Sequence, residues 1–251
     1  MLMKLKKEKN VSFFNNDISD IGSYVYTNKN IYSALIATKR QSDEIIRIIK
    51  KYFGNDIKIL DIGCGDGTFT LELHEAVKPK QITGFDFAKN AIKVANKKTK
   101  KIKNKSVVFK ICDIYDIDKK FGKEKYDLAV ARGILHHLHN PEAAIENISK
   151  AVLKIIVLEP NGYNPVLKVI EKVSKYHIKH EEKSYFPPLL NKWFIKQGFR
   201  VTEQKFVGLV PYFFPEKIAR ILKKIEPFIE NVPFISKFYV GTNVIFFEKD
   251  Y

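Results

Sequence analysis

Three glycines at alternate positions, Gly63, Gly65 and Gly67, stand in the run ILDIGCGDGTFT at residues 59–70. Glycine tolerates backbone angles that other residues avoid, and it has no side chain to keep a ligand away from the main chain. A β-branched run precedes the loop and a helical pattern follows it, so the loop joins a strand to a helix with amides facing a nucleotide-like group. The dinucleotide fingerprint GxGxxG needs glycine at 68, where this chain has Thr68. Asp86 closes a second apolar run 25 residues after Asp61, where a carboxylate accepts both hydroxyls of a ribose. Asp113 closes a third run, VVFKICD, where a carboxylate can accept from the exocyclic amine of adenine. Loop and acids together describe an adenosine laid across three neighbouring strand ends, with no place for a second nucleotide.

Beyond these residues lie candidates for acid–base work. Histidine titrates near neutrality, so His136 and His137, after a fourth apolar run, are the candidate catalytic bases, with His139, His177 and His180 behind them. Glu159, at the carboxyl end of a fifth run in LEPNGYNP, reads equally as a substrate wall or as a cap. The segments DIGCGDG at 61–67, GFDFA at 84–88, ICDI at 111–114 and YDLAVARGILHHLHNPEAAI at 126–145 resemble, in order and spacing, the class I S-adenosylmethionine-dependent methyltransferases. The resemblance covers residues 40–160 well and the remainder loosely. It implies S-adenosyl-L-methionine as cofactor, with Asp61 among its binding residues and Gly63, Cys64 and Gly65 lining the methionine part. It further implies that Asp86 holds the ribose, Phe87 packs on the adenine, Asp113 and Ile114 bound its edge, and Arg132 borders the cofactor. The paired histidines also match that family's LHHL turn, a structural reading beside the catalytic one.

Two departures from the family's pattern concern connections. Relatives often carry a Pro-Gly-Gly turn before the fifth strand, whereas here Ile148 leads through SKAVLK directly into IIVLEP, so that connection is tight. The family's N-terminal lid has only Tyr24, Tyr32 and Arg40 as candidates, each of which also reads as a packed aromatic or a surface cation. Absences narrow the acceptor. Ala131-Arg132-Gly133 replaces the Asn-Pro-Pro-aromatic turn that grips a flipped base. Neither cysteine follows a proline, against pyrimidine C5 methylation, and no further acid set suggests a magnesium or other metal site. The expectation is transfer to an oxygen, or less readily a nitrogen, of a small, hydrophobic or lipid-like acceptor. The alternatives are an RNA methyltransferase or a non-catalytic cofactor-binding subunit.

The elements that must position these residues follow from periodicity. Strands are expected at 57–62, 81–85, 107–112, 127–131 and 155–158, short and apolar as strands covered on both faces are. Helices are expected at 68–77, 88–98 and 141–151, the last marked by Asn140 as N-cap and Pro141 at the first helical position. One or two helices precede the first strand. Downstream come a largely helical stretch at 161–198, a strand at 199–207, a helix opened by Pro215 with Ile218, Ile221, Leu222 and Ile225 on one face, and a strand at 242–248. The fold class is α/β: a Rossmann-like, mostly parallel seven-stranded sheet with helices on both faces, N-terminal helices and a helical C-terminal cap. One domain is expected over 1–251, with a lid at 1–54, a cofactor core at 55–160 and a substrate cap with terminal strands at 161–251.

Composition agrees with a folded chain: of 251 residues, 45% are hydrophobic and 13% aromatic, too many for a disordered polymer. Charge-free runs such as 206–215 are far shorter than the roughly 20 residues a bilayer-spanning helix needs. The basic N-terminus leads into no apolar signal core, so a cytoplasmic location is expected. A formal charge of +16 reads either as attraction to a polyanion or as the composition of an A/T-rich genome. The seven lysines at 93–105 read as the solvated end of a helix and its loop. Eight basic and three acidic residues at 162–200 allow cationic amphipathic helices in peripheral contact with anionic membrane. Nucleic acid is the less favoured partner, and the oligomeric state is left open.

Overall fold

A computed structural model describes residues 30–102, 105–122, 126–173 and 183–249. Tyr24, His177 and His180 lie outside the described residues. Helix α1 (Tyr32–Tyr52) leads into β1 (Lys58–Ile62), α2 (Thr68–Val77), β2 (Gln81–Asp86), α3 (Lys89–Ile102), β3 (Val107–Ile111), α4 (Ile117–Phe121) and β4 (Leu128–Arg132). Then follow α5 (Pro141–Ala151), β5 (Lys154–Pro160), α6 (Pro165–Val173), α7 (Pro187–Ile195), β6 (Arg200–Val207), α8 (Glu216–Asn231), α9 (Pro233–Tyr239) and β7 (Thr242–Glu248). Single 3₁₀ turns at Ile114–Asp116 and Leu135–His137 follow β3 and β4. Among the described residues, α1 precedes β1.

The seven strands form one sheet in the order β3-β2-β1-β4-β5-β7-β6. The first five are mutually parallel, and β7 runs antiparallel to both β5 and β6. Alternate residues therefore enter opposite cores. Leu128 and Val130 face α1, α2 and α3 with Ile45, Leu73 and Ile92, while Ala129 and Ala131 face α4, α5 and α7 with Phe121, Ile145 and Phe194. Coverage on both faces explains why the strands are almost wholly apolar.

Chain direction across the sheet reverses at β1, which has β2 on one side and β4 on the other. Helices departing to opposite faces at that point leave a crevice beyond the carboxyl ends of β1 and β4. The connection from α5 to β5 is the two residues Val152 and Leu153, as tight as the missing Pro-Gly-Gly turn implied. Asn140 caps α5, its side chain accepting from the Ala143 amide at 3.1 Å. The excursion between β5 and β7 is stitched at its feet: the Asn161 amide donates to Gly241 O at 2.9 Å, and the Asn161 side chain donates to Val240 O at 3.0 Å.

Candidate active site

The glycine loop lies in the crevice. Gly63, Gly65 and Gly67 all have left-handed backbones, with φ of +70°, +54° and +75°. Close packing reinforces that choice at two of them. A Cβ on Gly63 would stand 2.2 Å from Ile134 Cδ1, and one on Gly67 would stand 2.6 Å from Phe109 Cζ and 2.9 Å from Ala95 Cβ. Amides expected to face a ligand are instead spent inside the protein. Those of Gly63 and Cys64 donate to Phe85 O at 2.9 and 3.0 Å, and that of Gly67 to Cys64 O at 3.0 Å. The loop thus offers bare main chain rather than a row of open donors.

The two acids flank it. Asp86 is buried, and its oxygens accept from the Gly65 amide at 3.0 Å and the Ala88 amide at 2.8 Å, tying loop to strand. Burial raises its pKa above the usual carboxylate value, against the pull of the Ala88, Gly65 and Phe87 amides. On the neighbouring strand end Asp113 accepts from the Tyr115 amide at 3.1 Å and so opens the 3₁₀ turn, with Ile114 buried beside it. Phe87 is half-buried against Ala88 and Ala91. Asp61 lies beneath the loop, fully enclosed, accepting from Thr70 Oγ1 at 2.5 Å. Burial drives its pKa up to about 6, with Thr70 and Arg132 opposing and Asp86 adding to the rise. Burial also pushes up the Cys64 and Cys112 thiols, which keeps both protonated and unreactive.

Lys98 departs from the reading of its run as solvated, for it reaches back to the loop, donating to Asp66 at 2.8 Å and Thr68 Oγ1 at 2.6 Å. Arg132 stands at the crevice with its guanidinium 4.6 Å over the Phe69 ring, but its hydrogen bonds run to α1: Thr38 O at 3.0 Å, Gln41 Oε1 at 3.2 Å and Ser42 Oγ at 3.2 Å. Gln41 in turn donates to Tyr212 Oη at 2.5 Å, closing a wall from α1 to the loop before α8. Of the lid candidates, Tyr32 lies under the Arg220 guanidinium and Arg40 is bound to Glu44 and Glu230.

Glu159 resolves the histidine turn. Its carboxylate is fully buried and meets four donors: the amides of Ile134 and Leu135 on Oε1 at 3.0 and 2.8 Å, and the amide and Nδ1 of His136 on Oε2 at 3.2 and 2.8 Å. A carboxylate offers about four acceptor positions, so the four donors fill Glu159, which clamps the turn. Facing an acceptor-only group, His136 Nδ1 carries the proton, which leaves Nε2 as the basic nitrogen. His137 lies against His136 with ring centroids 3.9 Å apart. His139 is turned away to Tyr115 Oη, 3.2 Å from its Nδ1. Tyr185 belongs to the same cluster. Burial lifts its phenol to about 12, Glu159 and Tyr115 adding to the shift, and burial lifts Tyr115 to about 12 as well.

The sequence profile described as "Methyltransferase domain" matches residues 53–192, which hold the loop, the acids and the histidine turn. The chain belongs to this methyltransferase family. Membership gives it a methyltransferase domain over just over half of its length. The methyltransferase is 29% identical over 112 residues to malonyl-[acyl-carrier protein] O-methyltransferase of Bacillus cereus, covering 44% of this chain and 39% of that protein. It is 27% identical over 139 residues to demethylmenaquinone methyltransferase of Leptospira interrogans, covering 55% of this chain and 53% of that protein. The chain spans about half the length of the curated relatives it matches. In fold, the methyltransferase is similar to magnesium protoporphyrin IX methyltransferase of Synechocystis PCC 6803, a structure with SAH bound, with a TM-score of 0.71 and 13% identity over 97% of this chain and all of that one.

Proposed function

We propose that the protein moves a methyl group from S-adenosyl-L-methionine to an oxygen, or less readily a nitrogen, of a small hydrophobic or lipid-like acceptor. When bound, the cofactor supplies a methyl group on a sulfonium that is already activated for displacement, so the protein's main task is alignment. The residues present fit that donor. The left-handed glycines keep side chains off the loop, and Asp86, with amides on both oxygens, retains acceptor capacity for ribose hydroxyls. Cys64 shares the loop that would line the methionine part, Phe87 and Ile114 would bound the adenine with Asp113, and Asp61 and Arg132 would brace the loop and its far wall.

The observation that carries the acceptor class is the aromatic and apolar surface beside the histidine turn. Half-buried Tyr115 and Tyr185 pack with Ile134 and Leu138 on the core that holds Leu135, and burial lifts both phenols to about 12; a wall of this kind suits an apolar acceptor. Tyr163 extends the aromatic surface, its ring 4.5 Å from Phe186 and 5.8 Å from Phe238. Two relatives named for demethylmenaquinone and for O-methylation of malonyl-[acyl-carrier protein] support the same class. His136 Nε2 would take the acceptor's hydroxyl proton, with Glu159 fixing the tautomer and holding the turn.

Cell extract incubated with methyl-labelled cofactor and enzyme, then split into organic-extractable, RNA and protein fractions, is expected to carry label in the organic fraction. His136→Ala is expected to slow that transfer about 100-fold while leaving cofactor affinity in calorimetry unchanged. Label confined to RNA would replace this reading with the RNA methyltransferase, and donor binding without transfer to any fraction would leave a non-catalytic subunit.

A further inference from the structure

Helix α8 is packed with its polar side inward. Ile218, Ile221, Ile225 and Phe228 recur at intervals of three and four, which places them along one stripe. That stripe faces solvent, with Ile221 63% and Phe228 69% exposed. The opposite side is acidic and enclosed, Glu226 being 1% and Glu230 8% exposed. Glu226 accepts the Leu209 amide at 3.1 Å, Glu230 accepts the Gly208 amide at 2.8 Å, and Glu230 also binds the Arg40 guanidinium of α1. The acids are thus used to hold the helix on the protein, and the side that hydrophobic burial would select is left outside. On α9, which packs against α8, Phe234 is 72% exposed.

The charges beside the stripe are of one sign. Lys217 and Lys224, seven residues apart, border Ile218 and Ile225. The remaining acid of the helix, Glu216, is taken by Arg220 at 2.6 Å. Cations bordering an apolar stripe, on a chain of +16, match a surface that offers acyl chains and anionic headgroups together. A second copy of the chain would set the same lysines against each other. We infer that α8 lies on an anionic membrane surface, with Ile218, Ile221, Ile225 and Phe228 among the acyl chains and Lys217 and Lys224 at the headgroups. No described helix is long and apolar enough to cross a membrane. The contact therefore moves from the cationic helices expected at 162–200 to a later element. It requires no particular acceptor in the site.

Flotation of the full chain with vesicles tests it. Binding to phosphatidylcholine vesicles containing phosphatidylglycerol is expected to exceed binding to pure phosphatidylcholine by about tenfold or more. Ile221→Ser with Phe228→Ser, both at exposed positions, is expected to lower binding to the anionic vesicles by at least about tenfold, with unchanged thermal unfolding and unchanged cofactor affinity. Lys217→Ala with Lys224→Ala is expected to lower it several-fold and to weaken its dependence on salt. Equal binding by wild type and the apolar double variant, or equal binding to neutral and anionic vesicles, would overturn the inference. So would a wild-type dimer in sedimentation equilibrium that the apolar double variant dissolves, since the stripe would then belong to a second copy.

Discussion

At the scale of single residues, the site is governed by what each carboxylate already binds. Glu159 has no capacity left for a substrate, whereas Asp86 does, and Asp61 is held under the loop by Thr70. Asp61 has a measurable signature. Folded, it keeps its proton up to about pH 6; unfolded, it loses it near the ordinary 3.8. Between those values the native state binds the extra proton, so stability falls as pH rises through the window and stays lowered above it. Asn at 61 can still accept from Thr70 and carries no charge. Asp61→Asn is therefore expected to unfold at higher temperature than wild type at pH 8, a gain on the order of 1–3 kcal/mol that vanishes toward pH 4. Thermal melts across pH check this, and a difference that does not vary with pH would contradict the assigned burial.

At the scale of elements, the glycine loop is a seam between α2, α3 and β3. Gly67→Ala would need a left-handed alanine and would drive its Cβ into the Phe109 ring and Ala95, so a loss of about 2 kcal/mol is expected in urea unfolding, partly restored by adding Phe109→Leu. Much at this scale was legible in the sequence. The helices at 68–77 and 141–151 and the strand at 242–248 have the expected bounds, because Gly67, Asn140-Pro141 and Gly241 punctuate them sharply. The order of loop, Asp86 and Asp113 at adjacent strand ends was legible for the same reason, since each acid ends an apolar run. Pairings across long separations were not. Gln41 with Tyr212, Lys98 with Asp66, and the four donors on Glu159 depend on which loops the sheet order brings together, and periodicity carries no such information. The apolar stripe of α8 was visible, but not the side it faces, because that is decided by Arg40 and the amides at 208–209.

At the scale of the molecule, α1 fastens the segment between β6 and β7 to the parallel strands of the sheet. Arg40 bridges Glu44 and Glu230, while Gln41 and Ser42 hold Arg132 at the end of β4. Arg40→Met would leave the enclosed Glu230 without its cation, while Glu44 keeps Arg47 and Lys205, and a loss of about 3 kcal/mol is expected by chemical denaturation. Adding Glu230→Gln should return part of it, and a single variant as stable as wild type would show that the clasp does not hold α1. The stitch of Asn161 to Gly241 has a wider consequence. Because the chain leaves β5 and re-enters β7 within one hydrogen bond, the 80-odd residues between form a bight whose feet stay fixed whatever its contents. Insertions or deletions within that bight, outside β6, would leave the pairing of β7 with β5 and β6 in place.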